Sequence, residues 1–177
     1  MSTKGLIHIY YGDGKGKTTA ALGLAMRAAG CGKKVVIAQF LKNWKCGEHN
    51  SIRQLANVTL LQGKSASKKF VRDMSEEEKQ KTKASLDECL RKSIEQINSD
   101  KCDVLILDEV IDAYNLKVLD ADMFEDLVFN KSEKIELVIT GHKPNERLLK
   151  QADYVTEMVK RKHPYDEGVI ARQGIEF

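Results

Sequence analysis

The amino-acid sequence predicts an α/β fold with a mostly parallel sheet of about six strands and helices on both faces. Three observations support this prediction: apolar runs alternate with helix-like segments, the runs are apolar at successive positions, and a glycine-rich turn follows the first run. Strands that are apolar at successive positions are typical of a sheet buried between two helical layers. Together with the glycine turn, the alternation indicates a P-loop NTPase-like (RecA-like) fold.

Each predicted strand is a short run rich in valine, isoleucine and leucine. The six runs cover residues 5–11, 34–40, 57–61, 103–110, 135–140 and 154–159.

Helices are predicted between the strands, at residues 17–29, 75–97, 120–129 and 145–152. The first is rich in alanine and leucine and is followed by Gly30, which suits a helix end. The second begins with a capping box, in which the side chains of Ser75 and Glu78 satisfy free backbone amides. The segments 41–50 and 63–74 are predicted to be irregular.

Length and composition exclude several classes of protein. A chain of 177 residues is long enough for a buried core, and we expect one domain over residues 1–177. The net charge of +3 comes from intermixed acids and bases, so no nucleic-acid surface is expected. No apolar run approaches the ~20 residues of a membrane helix, so no membrane association is expected. The start lacks the apolar core of a secretion signal, and we expect a cytoplasmic location.

The cysteines and histidines show no pattern typical of a metal site. The four cysteines include no Cys-x-x-Cys pair, so neither a zinc site nor a disulfide framework is expected. His8 falls in the first strand and is interpreted as a core residue. His49, His142 and His163 have no metal-like spacing. The sequence therefore assigns no histidine to a metal.

A glycine-rich loop between the first strand and the first helix predicts a nucleotide site. Its residues are Gly12, Asp13, Gly14, Lys15, Gly16, Lys17, Thr18 and Thr19. Glycines let backbone amides surround a phosphate, and the helix N-terminus adds partial positive charge. Lysines add charge and the Thr18 hydroxyl suits Mg²⁺. The alternative is a plain glycine turn with exposed lysines.

The loop differs from the usual phosphate loop in its length. In the usual pattern four residues separate the first glycine from Gly-Lys-Ser/Thr. That spacing would place the first glycine at position 11, where this chain has Tyr11, so the loop is one residue short.

Two acids, Asp108 and Glu109, end the fourth predicted strand. Ligands of open α/β sheets bind at this carboxyl edge. One carboxylate can hold Mg²⁺ (or Mn²⁺) with Thr18, and a following glutamate activates water in many ATPases. The alternative is a pair of solvated acids, and the sequence leaves open which acid contacts the metal.

Two aromatic residues follow the second strand at the same edge. Phe40 and Trp44 are interpreted either as core or lid residues or as an aromatic wall for a large planar partner.

Taken together, these segments resemble the ATP:corrinoid adenosyltransferases of the P-loop type, over nearly the whole chain. The matching blocks are "GDGKGKTTAALG", "QFLKNWKCGE", "LILDEV", "VITGHKPNERLLKQADYVTEM" and "KRKHPYDEGVIARQGIEF". The short loop and the last block are the most specific of these.

The resemblance implies a function and a set of partners. ATP lies reversed in the loop, its 5′ carbon is attacked by the cobalt(I) of cobalamin or a corrinoid precursor, and triphosphate leaves. Lys17 and Thr18 then stabilise the leaving triphosphate with Mg²⁺, and Glu109 acts as a metal ligand or beside one. The resemblance also implies a homodimer and an electron donor such as a flavoprotein, in biosynthesis or salvage of adenosylcobalamin.

The chain departs from the family pattern at two places. Relatives carry a two-aromatic segment after the third strand, for which Phe70 is the candidate here. Where relatives have Thr-Gly-Arg, this chain has Thr140-Gly141-His142. Because the arginine is replaced, His142 or Lys143 must supply the phosphate-binding cation.

Two other functions remain open at this stage. The loop and the Asp108–Glu109 pair alone also fit a small P-loop kinase or ATPase. A nonenzymatic corrinoid or nucleotide carrier is the third hypothesis.

Overall fold

A six-stranded sheet forms the centre of the molecule. The structure is a computed structural model that describes residues 4–42 and 44–177; the first three residues and Asn43, in the segment that follows the second strand, lie outside this range. The strands are β1 (Ile7–Tyr11), β2 (Val35–Gln39), β3 (Val58–Gln62), β4 (Val104–Asp108), β5 (Glu136–Gly141) and β6 (Tyr154–Glu157).

The strand order is β3-β2-β4-β5-β1-β6, and every neighbouring pair is parallel. All six carboxyl ends therefore meet at one edge. This arrangement confirms the predicted parallel sheet.

Helices cover both faces of the sheet. They are α1 (Lys17–Gly30), α2 (Gly47–Ile52), α3 (Glu76–Asn98), α4 (Val110–Asn115), α5 (Ala121–Phe129) and α6 (Glu146–Gln151). The small side chains of Ala21 and Ala25 in α1 pack against Ile37 and Ile106 on one face. On the other face, Leu86 of α3 belongs to a larger core with the helices α4, α5 and α6.

Two short helices differ from the sequence prediction. The apolar run from β4 was expected to continue to Val110, but β4 ends at Asp108 and α4 begins at Val110. Glu109 between them has a left-handed backbone with φ 63°. Val110 and Ile111 are fully buried from the helix, so their apolar character is explained without a longer strand. The helix α2 likewise occupies part of the segment predicted to be irregular.

Within residues 4–42 and 44–177, no helix has both the length and the apolar character that a membrane span requires.

Candidate nucleotide-binding site

The glycine-rich loop joins β1 to α1 at the carboxyl edge of the sheet. Gly12 and Gly16 have positive φ values of 111° and 116°, which residues other than glycine rarely adopt. The sequence therefore places glycine where the loop needs it.

The loop packs tightly against the segment that follows β6. The Gly14 amide donates to the Met158 carbonyl at 2.6 Å. A Cβ atom on either Gly12 or Gly14 would lie 2.5 Å from the same carbonyl oxygen. Asp13 accepts a hydrogen bond from the Lys160 amide at 3.0 Å, and that bond lowers the pKa of Asp13. This contact fixes the position of the loop.

The Lys17 ammonium lies over the loop. Its Nζ donates to the carbonyls of Gly12 at 2.7 Å and Gly14 at 2.9 Å. Partial burial lowers the pKa of Lys17, and nearby carboxylates, first Asp112 and then Glu109, oppose that shift. The charge of this cation is therefore held at the loop by the loop's own carbonyls.

Asp108 is the buried centre of the polar network, with 1% of its surface exposed. Its Oδ1 accepts from the hydroxyls of Thr18 at 2.9 Å and Thr140 at 2.8 Å. Its Oδ2 accepts from the Lys42 ammonium at 2.8 Å. Burial opposes the Lys42 charge, but the carboxylates of Asp108, Glu109 and Glu48 outweigh it and raise the pKa of Lys42.

Glu109 sits beside this network in its left-handed conformation. Its backbone amide donates to the Thr140 hydroxyl at 2.9 Å, which joins β4 to β5. Burial, and then the neighbouring Asp108 charge, raise the pKa of Glu109 to about 7. A carboxyl group with this pKa is near its proton-binding midpoint at neutral pH.

In the described part of the chain, two larger cavities adjoin the loop, and a smaller one of about 180 Å³ borders Lys15. The loop cavity, of about 320 Å³, is lined by Asp13, Gly14, Lys15, Gly16, Lys17, Thr18, Thr19, Glu109, Thr140, His142, His163, Ile175 and Glu176. The side cavity, of about 600 Å³, is lined by Thr18, Thr19, Leu22, Lys42, Trp44, Cys46, Gly47, Glu48, Ser51, Glu109 and Gly174–Phe177. The two cavities are neighbours, since Thr18, Thr19, Glu109, Ile175 and Glu176 line both. Another cavity, similar in size to the side cavity and beside Tyr114 and Asp120, includes no loop residue.

Residues 172–177 cover part of both cavities. Glu176 pairs with the guanidinium of Arg172 at 3.1 Å, and this bond lowers the pKa of Glu176 to about 2. Lys15 donates to the Ile175 carbonyl at 3.2 Å and lies 3.7 Å from Glu176. A loop lysine is therefore already paired with a carboxylate.

Most of the sequence-predicted site residues meet at these cavities. His142 lines the loop cavity, where its Nδ1 lies 3.0 Å from Asp112, and Trp44 lines the side cavity. Phe40 does not: it is fully buried in the hydrophobic core. Its expected role in an aromatic wall is therefore corrected, because no face of the ring is open to a ligand.

Phe70 also lies apart from both cavities. It is 74% exposed, and the Arg72 guanidinium lies 5.3 Å from its ring centroid. Neither cavity next to the loop includes it among its lining residues.

Sequence reasoning missed several residues that the fold brings to this site, namely Gln39, Lys42, Glu48, Thr140 and the Arg172–Glu176 pair. Cys46 and His49, which the sequence did not assign to a metal, come together at the start of α2, one helical turn apart. The histidine interpreted as a core residue, His8, is largely buried and bonded to Glu136.

The deciding comparison is with a family model described as "ATP:corrinoid adenosyltransferase BtuR/CobO/CobP", which matches residues 3–177. The chain belongs to this family. Corrinoid adenosyltransferases of *Escherichia coli* K12 and *Salmonella typhimurium* LT2 are each 30% identical to it, over 98% of this chain and 86% of theirs. The corrinoid adenosyltransferase of a *Sinorhizobium* species is 29% identical, over 98% of this chain and 81% of its own.

A solved structure supports the fold separately. The cytoplasmic domain of EssC is 14% identical, covers 98% of this chain and 35% of that one, and has a TM-score of 0.53. This likeness concerns the fold alone. Family membership confirms the resemblance seen in the sequence and the ATP-dependent adenosylation of corrinoids, and it does not favour the kinase and carrier hypotheses.

Proposed function

We propose that this adenosyltransferase transfers the 5′-deoxyadenosyl group of ATP to the cobalt(I) of cobalamin or a corrinoid precursor and releases triphosphate. The observation that carries the proposal is that the loop cavity and the side cavity lie side by side and share Thr18, Thr19 and Glu109 in their linings. A triphosphate in the loop cavity puts the ribose at the boundary. The 5′ carbon then faces the larger space, which admits the corrinoid.

The reaction is a displacement at carbon. The cobalt(I) electron pair forms the cobalt–carbon bond, the bond from the 5′ carbon to oxygen breaks, and its electrons leave with the triphosphate. No proton is removed from the nucleophile, so the site requires no general base. The chain's part is to stabilise charge on the leaving group, and we assign this role to the Lys17 ammonium held at the loop.

The metal-binding residues we propose are Thr18, Asp108 and Glu109, and the ion is Mg²⁺ (or Mn²⁺). All three offer the oxygen ligands that a hard divalent ion prefers. Asp108 is already occupied by two hydroxyls and by Lys42, whereas Glu109 lies next to the loop with its carboxyl group at the shared wall of the cavities. We therefore assign Thr18 and Glu109 as direct ligands and Asp108 as the group that orients Thr18. Such an ion supplies charge neutralisation at the triphosphate.

Other residues contribute to binding in this proposal. The full loop from Gly12 to Thr19 binds the phosphates, with His142 or Lys143 as the additional cation. Trp44 forms an aromatic side of the corrinoid space. Phe70 stays a prediction as a corrinoid contact, since its exposed ring is available to a bound molecule.

The setting of the enzyme is part of the proposal. We propose a single-domain chain, a homodimer, and a flavoprotein as the electron donor, acting in the cytoplasm in biosynthesis or salvage of adenosylcobalamin. Neither nucleic acid nor a membrane is a proposed partner.

The test uses the purified chain with MgATP, cobalamin and a strong reductant under anaerobic conditions. A light-sensitive cobalt–carbon product is expected, and it should be absent without reductant. Formation of ADP or phosphate with unaltered cobalamin rejects the proposal.

A further inference from the structure

Three ligands suited to a soft metal ion meet at the start of α2. The ligand atoms of Cys46, Glu48 and His49 all lie within 4.8 Å of one another. Cys46 and His49 are each 5% exposed. We propose that these three side chains form a binding site for a soft divalent cation such as Zn²⁺, separate from the Mg²⁺ site at Thr18.

Hydrogen bonds orient the His49 imidazole for such a role. Its Nε2 lies 2.7 Å from the Gln39 Oε1, and the Gln39 amide nitrogen faces the carboxylates of Glu48 at 3.3 Å and Asp108 at 3.4 Å. Because a carboxylate only accepts hydrogen bonds, the Gln39 amide has one orientation and its oxygen faces His49. Nε2 must therefore carry the proton, and Nδ1 presents a lone pair.

That lone pair accepts a hydrogen bond from the Cys46 backbone amide at 3.4 Å as part of the cap of α2, and a metal ion would replace this long bond. A ligating histidine in known metal sites donates its other ring N–H to an oxygen acceptor, as His49 does to Gln39. The Gln62 amide nitrogen also approaches Nε2, at the longer distance of 3.4 Å. The shorter Gln39 contact decides the tautomer.

The Cys46 thiol has weak partners, such as the Trp44 carbonyl at 3.9 Å. Tetrahedral Zn²⁺ binds sulfur at about 2.3 Å and nitrogen at about 2.0 Å, which places ligand atoms about 3.5 Å apart. The three groups therefore need to close by about 1 Å, within reach of side-chain rotation on one helical turn. Binding displaces the thiol proton to solvent.

The Lys42 ammonium is the nearest opposing charge. It lies 3.5 Å from the Glu48 Oε1 but only 2.8 Å from Asp108, which neutralises it. The second carboxylate oxygen of Glu48 is then available to the cation. Because Cys46 and Glu48 line the side cavity, the fourth coordination position faces that space and admits water.

The ligand set separates this site from the Mg²⁺ site by chemistry. Thiolate and imidazole select Zn²⁺ and similar ions, whereas the oxygen ligands near Thr18 suit Mg²⁺. A bound Zn²⁺ would attach α2 to β2 through His49 and Gln39, at the rim of the side cavity.

Co²⁺ is the probe for a direct test, because it reports its ligands by absorption. The full chain is treated with a chelator, freed of it, and titrated with Co²⁺ without nucleotide or corrinoid. We expect a thiolate-to-cobalt charge-transfer band and the intense visible bands of a tetrahedral ion, both removed by one equivalent of Zn²⁺ but not by excess Mg²⁺.

Variants locate the site. Cys46→Ser should abolish the charge-transfer band, and His49→Gln should weaken Co²⁺ binding by at least about 100-fold. The matched control is Cys31→Ser, at the exposed cysteine beyond α1, which should leave the spectrum unchanged.

Several results would overturn the proposal. A weak octahedral spectrum without charge transfer, or a band that survives in Cys46→Ser, excludes the site. If Cys46→Ser does not fold, thermal unfolding of the wild-type chain is the test. Zn²⁺ should raise its melting temperature at concentrations where Mg²⁺ does not. If Zn²⁺ causes no such rise, the site is rejected. Because these readouts need no turnover, they are independent of the proposed transfer reaction.

Discussion

At the scale of single residues, Asp108 joins three separate parts of the chain. The hydroxyls of Thr18 and Thr140 share one of its oxygens, and the Lys42 ammonium binds the other. Thr140 also accepts from the Glu109 amide, so it holds both acids at once. The position of the predicted metal ligands therefore depends on a hydroxyl that belongs to neither the loop nor β4.

Replacing this hydroxyl tests its role in stability. Thr140→Val keeps the side-chain shape but leaves the partly buried Glu109 amide without this partner and removes a hydrogen bond to Asp108, which costs about 1–3 kcal/mol. Urea unfolding should show that loss, while Thr59→Val at an exposed strand position should change stability by less than about 0.5 kcal/mol. Equal losses of stability in Thr140→Val and Thr59→Val would contradict this role of the Thr140 hydroxyl.

Lys17 is the residue on which catalysis should depend most. Lys17→Ala removes the ammonium held over the loop and should raise the barrier by about 2–4 kcal/mol, the size typical of an oriented charge donor. Turnover at saturating MgATP measures this, and Lys33→Ala, an exposed lysine beyond α1, is the control. Unchanged turnover would rule out the assigned role.

Glu109 should make stability depend on pH. Its pKa rises from the ordinary 4.5 to about 7 in the folded chain. Glu109 thus binds a proton more tightly in the folded chain than in the unfolded chain. The stability that this proton contributes is complete below pH 4.5 and is lost as the pH rises through 7. The loss is of the order of 3 kcal/mol.

Glu109→Gln should remove that dependence. In metal-free buffer the variant should be more stable than wild type at pH 8 and differ little at pH 5, because glutamine stays neutral. Exposed Glu95→Gln serves as the control. If the difference in stability between wild type and Glu109→Gln were the same at pH 5 and pH 8, the shifted pKa of Glu109 would be contradicted.

At the scale of elements, the phosphate loop depends on the chain that follows β6. Met158 accepts from the Gly14 amide, and Lys160 donates to Asp13, so a segment nearly 150 residues away in sequence holds the loop. The loop itself was predictable, because its residues are contiguous and its glycines have a recognised purpose. Its support was not, since no local pattern marks Met158 as a neighbour.

Two glycine substitutions separate close packing from helix propensity. A Cβ at Gly14 would lie 2.5 Å from the Met158 carbonyl, so Gly14→Ala should destabilise the chain by about 1–3 kcal/mol. A Cβ at Gly23 in α1 would have no neighbouring atom within 4 Å, so Gly23→Ala should stabilise the folded chain by about 0.5–1 kcal/mol. Thermal unfolding of both variants checks the signs, and a neutral Gly14→Ala would contradict the contact.

The strands and long helices followed from the sequence because their signals are local. Buried strands such as β2 are apolar at nearly every position, and α3 is capped by Ser75 and Glu78 as predicted. The short helices α2 and α4 did not follow. Six residues carry too little periodicity, and the left-handed Glu109 that follows β4 is held by the hydrogen bond that its amide donates to Thr140 on β5.

At the scale of the whole molecule, strand order decides which residues meet. β4 lies between β2 and β5, so Asp108 is flanked by Gln39 on one side and by the end of β5 with Thr140 on the other. The EssC domain shares this fold at only 14% identity. The chemistry therefore resides in the site rather than in the fold.

The site was predictable to the extent that its residues are local or part of a family pattern. The loop, Asp108 and Glu109 meet as expected, while Lys42 and residues 174–177 reach the cavities only through tertiary structure. For Phe40 the sequence left open either a core position or an aromatic wall, and the ring lies in the core. Sequence position at a strand end does not reveal which way a ring faces.

The phosphorus product formed during turnover tests the orientation of ATP most directly. With MgATP, cobalamin and a strong reductant, ³¹P NMR should show intact triphosphate appearing in proportion to the cobalt–carbon product. Cleavage between the β and γ phosphates, with ADP in proportion to product, would contradict transfer from the ribose 5′ carbon.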